Sequence, residues 1–158
     1  MSQIPNCEFV SCIPLPTMAS SASTARMHTR TVLNKWHMPD LTEDAELVVS
    51  ELVTNAIRAT NILASQARYP EIYDHMGVVC LCLQISEGDL LIEVQDLAQN
   101  APRLRRSAPD DEGGRGLLLV TTIAREWGCR KAPTGGEIVW ARLARDGTTR
   151  SVTGDAEP

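Results

Sequence analysis

Val48-Val49-Ser50-Glu51-Leu52-Val53-Thr54-Asn55-Ala56 sets a carboxylate and a carboxamide four residues apart inside an otherwise apolar run. At that spacing Glu51 and Asn55 lie one above the other on the same helical face. Val48, Val49, Leu52, Val53, Ala56 and Ile57 form the opposite stripe, fit to bury against a sheet. An acidic group beside an oxygen donor suits a divalent cation and water. Magnesium in particular takes oxygen ligands and usually arrives with substrate phosphates.

Further along, Asp110-Asp111-Glu112-Gly113-Gly114-Arg115-Gly116-Leu117-Leu118-Leu119-Val120 reads as a glycine-rich loop opening into an apolar helix. Glycines let backbone N–H groups approach an anion closely, and a helix N-terminus adds favourable dipole charge. One place for metal and water and one for phosphate point together to a nucleotide. The run partly mimics a dinucleotide fingerprint, Gly114-x-Gly116-x-x-Leu119. It lacks the third glycine and the early strand-turn-helix that a Rossmann unit requires.

The chain's 158 residues fit one domain with a sizeable core. Its 43% hydrophobic and 22% charged residues are ordinary for a globular protein. A net charge of −5 argues against a nucleic-acid binder, and Arg103, Arg105 and Arg106 make the one dense basic cluster. No run approaches the ~20 apolar residues of a membrane span, and the N-terminus reads without a signal peptide. The cysteines, Cys7, Cys12, Cys80, Cys82 and Cys129, match no zinc spacing. They read as free thiols packed as small hydrophobes, which predicts a reduced, cytoplasmic protein.

Along the chain, Glu8 to Leu15 reads as a strand ended by Pro14 and Pro16. A helix is expected from about Ala22 to Trp36, and a second, capped by Thr42, carries Glu51 and Asn55 to about Ala64. Gln66 to His75 reads as a linker. Val78 to Ile85 and Leu90 to Gln95 form a hairpin through Ser86-Glu87-Gly88-Asp89. Leu97 to Glu112 is irregular, Leu117 to Trp127 is a helix, and Cys129 to Ala132 with Glu137 to Leu143 make a last hairpin. Trp36, Trp127 and Trp140 read as core or near-core. Residues 1–144 form the domain, and 145–158 read as a disordered polar tail. The order strand, helix, helix, hairpin, helix, hairpin implies an α/β two-layer (α+β) sandwich. Its sheet is mixed and largely antiparallel, with the helices on one face.

Glu51-x-x-x-Asn55, Asp96 at a strand end, Gly113-Gly114-Arg115-Gly116 and the closing Gly135-Gly136-Glu137-Ile138-Val139-Trp140-Ala141 occur in that order. Together they resemble the histidine-kinase-like ATPases, the Bergerat (GHKL) fold of gyrase, Hsp90, MutL and sensor kinases. The single-domain form is similar to the anti-sigma-factor serine kinases and their actinobacterial relatives. The resemblance covers about residues 20–143.

The resemblance implies ATP and Mg²⁺ as cofactors and protein serine/threonine kinase activity. It makes Glu51 the carboxylate that polarises the attacking water or serine hydroxyl, and Asn55 the magnesium ligand. Asp96 becomes the acceptor of the adenine amino group. Gly113, Gly114 and Gly116 form a lid over the phosphates, with Arg115 in reach of a phosphate oxygen and Leu117 opening the helix that completes the anion site. Relatives place near the last strand a threonine that supports the aspartate through water. Here Ile138 takes that place and Thr134 lies close by. After Asp96 the run Leu97-Ala98-Gln99-Asn100 lacks the family's small residues or glycines. The implied partners are a sigma factor and an antagonist that is phosphorylated to control transcription, with a homodimer common among relatives. A different class of function is an ATPase-fold interaction module that sequesters a partner without phosphoryl transfer.

Overall fold

The computed structural model describes residues 9–66, 77–96, 112–133 and 135–145, except for the side chains of 62–66 and 112–116. The elements are β1 (Val10–Pro16), α1 (Ser21–Lys35), a 3-10 turn (Pro39–Leu41), α2 (Thr42–Gln66), β2 (Val78–Ser86), β3 (Asp89–Asp96), α3 (Glu112–Ile123), β4 (Glu126–Lys131) and β5 (Glu137–Leu143). The five strands lie in the order β1-β2-β3-β5-β4, and all four pairings are antiparallel. This is the expected two-layer α+β architecture. Expectations for the 66–75 linker, the 97–112 stretch and the 145–158 tail fall, but for flanking residues, outside the described residues.

Period-two alternation decides which sheet face is covered. Leu15 of β1, the odd-numbered Val79, Leu81 and Leu83 of β2, Leu90, Ile92 and Val94 of β3, and Ala141 and Leu143 of β5 all enter one core. They meet Ala25, Val32 and Leu33 of α1, the Val48-Val49-Leu52-Val53-Ile57 stripe of α2, and Val120 of α3. Each of these side chains, once buried, contributes roughly 1.5–3 kcal/mol if it is Val, Leu or Ile. The apolar stripe of α2 thus lies on the sheet as its 3.6-residue period requires.

Several elements depart from their expected limits. β1 runs through Pro14 to Pro16 instead of stopping there. Phe9 O accepts from Ile85 N (3.1 Å) and Thr17 N donates to Gly77 O (3.1 Å), which fixes the odd positions of β1 as the hydrogen-bonded ones. Cys12, Pro14 and Pro16 alternate with them, so the prolines' missing N–H groups fall on the free edge. Thr42 does not cap α2: a 3-10 turn leads straight into the helix, and the buried Thr42 Oγ1 has no hydrogen-bond partner among the described residues.

The third helix spans Glu112–Ile123, not Leu117–Trp127. Arg125 N donates to Arg142 O (2.8 Å), which starts β4 early and pairs Trp127 with Ala141. Trp36 and Trp127 pack against the core as expected, whereas Trp140 alternates to the opposite sheet face, over Gly128. The cysteines are not all free, either. The β1–β2 register sets Cys12 opposite Cys82, and the two form a disulfide, so the wholly reduced state is corrected. Cys80 keeps a free thiol.

Candidate functional site

Helix α2 carries the site's first pair. Arg30 donates to Glu46 (2.8 Å) and Arg26 to Ser50 Oγ (2.9 Å), so this flank of α2 faces α1. At ~100° per residue, Glu51 and Asn55 lie about 140° around the helix axis from it. α1 packs on edge strand β1, α3 on the opposite edge strand β4, and both pack on α2. The helical layer therefore runs α1, α2, α3, and Glu51 and Asn55 occupy the α3 side of α2. Both are half-buried, set between the buried Val48 and Leu52 and the exposed Leu47 and Arg58. The position suits groups that must meet a solute yet keep a fixed direction.

Asp96 ends β3, the middle strand, opposite Val79 of β2. Leu90, Ile92 and Val94 face the helices, so alternation places half-buried Asp96 on that same side. The adjoining Gln95 Nε2 donates to Gly135 O (3.5 Å), which brings the β4–β5 turn to this end of β3. Gly135 and Gly136 take φ of 104° and 80° there, a left-handed backbone that favours glycine. Thr134 belongs to this turn but lies outside the described residues.

The glycine run is helical. Gly113, Gly114, Arg115 and Gly116 lie in the opening turns of α3, and the helix N-terminus stands at Glu112 and not at Leu117. The unpaired N–H groups of the first turn, the natural anion donors, are therefore those around Gly113 and Gly114. Leu117 is half-buried within the helix, and the side chain of Arg115 lies outside the described residues. The helix absorbs three glycines because packing of its apolar face, more than propensity, sets helix limits.

Donor chemistry fits a nucleotide with magnesium. Among the described residues no three His, Cys, Asp or Glu side chains gather into a metal cage. A single carboxamide beside a carboxylate instead suits a cation whose other ligands are phosphate oxygens and water. Ile138 bears differently on the site than its sequence position implies. It pairs with Gln95 and stands outside the core cluster, while Val139 packs against that cluster. Ile138 thus faces away from Asp96 and does not fill the base side.

Two contacts have no local signature in the sequence. Arg26–Ser50 holds α2 beside Glu51 to α1, and Gln95–Gly135 ties the last turn to the Asp96 end of β3. Each joins residues far apart in the chain, so only the fold brings them together. Among the described residues no helix is long and apolar enough to cross a membrane.

No curated protein matches the chain. A family model described as a histidine kinase-like ATPase domain matches residues 15–143. That span takes in Glu51, Asn55, Asp96 and the glycine run, and it closes with β5. With the two-layer fold and the paired polar groups on α2, the match settles the family: the chain belongs to the histidine kinase-like ATPase domain family.

Proposed function

We propose that this ATPase-fold protein binds Mg-ATP and acts as a regulatory serine/threonine kinase of the anti-sigma type. The carrying observation is the half-buried pair Glu51 and Asn55, one turn apart on the flank of α2 that faces the glycine-bearing α3. Asn55 would hold the cation, the α3 N-terminus at Glu112–Gly114 the phosphates, and Asp96 the adenine amino group. Bound Mg-ATP supplies the transferable phosphoryl group and the cation that offsets its charge. Glu51 orients the serine hydroxyl of a partner protein and accepts its proton. Transfer of this kind depends mostly on positioning and electrostatics.

By resemblance, the phosphorylated partner is an antagonist and the competing partner a sigma factor; the cytoplasmic setting expected from the cysteines is kept as part of the proposal. A homodimer is part of the same reading. A second reading is a non-catalytic interaction module. The helical state of Gly113–Gly116 favours it, because a run built into α3 is less free to fold over phosphates.

Capture of partners from the source cell, followed by incubation with γ-labelled ATP, tests the proposal. Label is expected on a serine or threonine of the captured protein. Glu51→Ala is expected to reduce labelling by about 10²-fold or more, the usual yield of a general base. Labelling at the wild-type rate by Glu51→Ala refutes that role.

A further inference from the structure

Among the described residues β1 is an edge strand, attached to the sheet through β2 alone. Two of its seven residues are prolines, with no N–H to give. Yet much depends on its seat. Leu15 is buried in the core, Ser11 Oγ and His28 Nε2 of α1 lie 3.0 Å apart, and Pro16 O accepts from the buried Ser21 Oγ (2.6 Å) at the start of α1. Cys12 occupies a non-hydrogen-bonded position directly opposite Cys82, with Cα atoms 4.1 Å apart and the sulfurs bonded.

This bond crosses the sheet face that, among the described residues, carries no helix. Cys12 is exposed and Cys82 half-buried. Solvent-exposed disulfides are the ones that exchange readily with solution thiols. Cys80, two residues along the same face, holds its sulfur 3.9 Å from Cys82 Sγ. Burial raises the Cys80 thiol above its ordinary value, which makes it the less ready of the neighbouring sulfurs to ionise.

We propose that Cys12 and Cys82 form a reversible dithiol–disulfide clamp that locks edge strand β1 onto the sheet, with small solution thiols and their disulfides as its substrates. Closure begins with the exposed Cys12 thiolate attacking a low-molecular-weight disulfide, which gives a mixed disulfide and expels one small thiolate. The Cys82 thiolate then attacks Cys12 Sγ, forms the protein disulfide and expels the second. Two electrons pass from the protein to the small disulfide, and the released thiolates take protons from water. Opening is the reverse, with two small thiols consumed and one small disulfide formed. The clamp is independent of the nucleotide reading.

The full chain is prepared in graded mixtures of reduced and oxidised glutathione, quenched with acid and alkylated. Under oxidising conditions a Cys12–Cys82-linked peptide is expected, with Cys80 alkylated. Under reducing conditions all five cysteines are alkylated. The interconversion is expected to be reversible. Amide exchange over 10–16 is expected to quicken at least about tenfold on reduction while β4 and β5 hold their protection, as local unfolding predicts. Melting is expected to fall by about 10 °C, as loss of a cross-link closing a long loop implies. Cys80→Ser keeps the clamp and should switch like the wild type, whereas Cys12→Ser should behave as reduced in every buffer. A Cys12–Cys80 link, no linked peptide in oxidised glutathione, or β1 protection indifferent to reduction overturns the proposal.

Discussion

Asn55 and Glu51 share one flank of α2, but their substitutions separate by chemistry. A carboxamide that holds a cation acts on binding, whereas a carboxylate that takes a proton acts on transfer. Asn55→Ala is therefore expected to abolish the magnesium-dependent part of nucleotide affinity. Glu51→Ala should leave nucleotide affinity within about threefold of wild type, below the 1.4 kcal/mol that a tenfold change represents. Calorimetric titration with ATP, with and without Mg²⁺, reads both, and unchanged magnesium dependence in Asn55→Ala would sink its assignment. A second residue-scale prediction concerns His28. Burial against β1 lowers the pKa of its imidazole below the ordinary histidine value of 6.5. The unfolded chain then binds the proton more readily than the folded one, so stability rises with pH through this window. The contribution is fully present above pH 6.5 and is lost as the pH falls through the lowered folded value. Urea midpoints should fall between pH 7.5 and 5.5, and His28→Gln should flatten that slope. An identical slope in the variant would assign the effect elsewhere.

Between elements, the sharpest test is the β4–β5 pairing. A Cβ added at Gly128 would stand 2.9 Å from Trp140 Cζ2 and 3.1 Å from Cε2, which is ring and not a yielding side-chain end. Gly128→Ala is expected to cost about 1–3 kcal/mol of stability, the usual penalty of overpacking. Chemical denaturation measures it, and a cost under ~0.5 kcal/mol would mean that Trp140 swings aside freely. The same hairpin shows where local pattern stops informing. α2 could be read from Glu51, Asn55 and the stripe beneath them because one 3.6-residue period persists across its length. β2 and β3 declared themselves as two apolar runs either side of the Ser86-Glu87-Gly88-Asp89 turn. From Val120 to Trp127, by contrast, the apolar spacing suits a helix, and what ends α3 is the pairing of Arg125 and Trp127 with Arg142 and Ala141. That is a long-range choice. Pro14 and Pro16 read as strand breakers until β1 proves to be an edge. The Cys12–Cys82 bond likewise depends on a register between strands some seventy residues apart, for which neither cysteine's neighbours carry a mark. As candidates, Glu51 and Asn55 came from their helical spacing, and Asp96 from the order of motifs that carries the resemblance. Their common side of the sheet, and the helical state of Gly113–Gly116, required the layers to be assembled.

For the whole molecule, the kinase and the bare interaction module predict different responses to one ligand. Binding to the folded chain alone shifts stability by mass action, about 2.7 kcal/mol at a hundred times the dissociation constant. A domain of this size gains roughly 2–4 °C per kcal/mol. Saturating Mg-ATP should therefore raise the melting temperature by about 5–10 °C, with the redox buffer held constant so that the Cys12–Cys82 bond does not vary. The shift should propagate through α2, because its buried stripe rests on the same sheet face where Asp96 ends β3, and its other flanks meet α1 and α3. Ligand contacts at Asn55 and at the α3 N-terminus would thus tighten the helical layer as one body, and the melt should stay a single transition. A rise with ATP and ADP but none with Asn55→Ala places the nucleotide beside α2. No rise with either nucleotide at millimolar concentration leaves the fold without its nucleotide, and the chain then works by the surface it offers a partner.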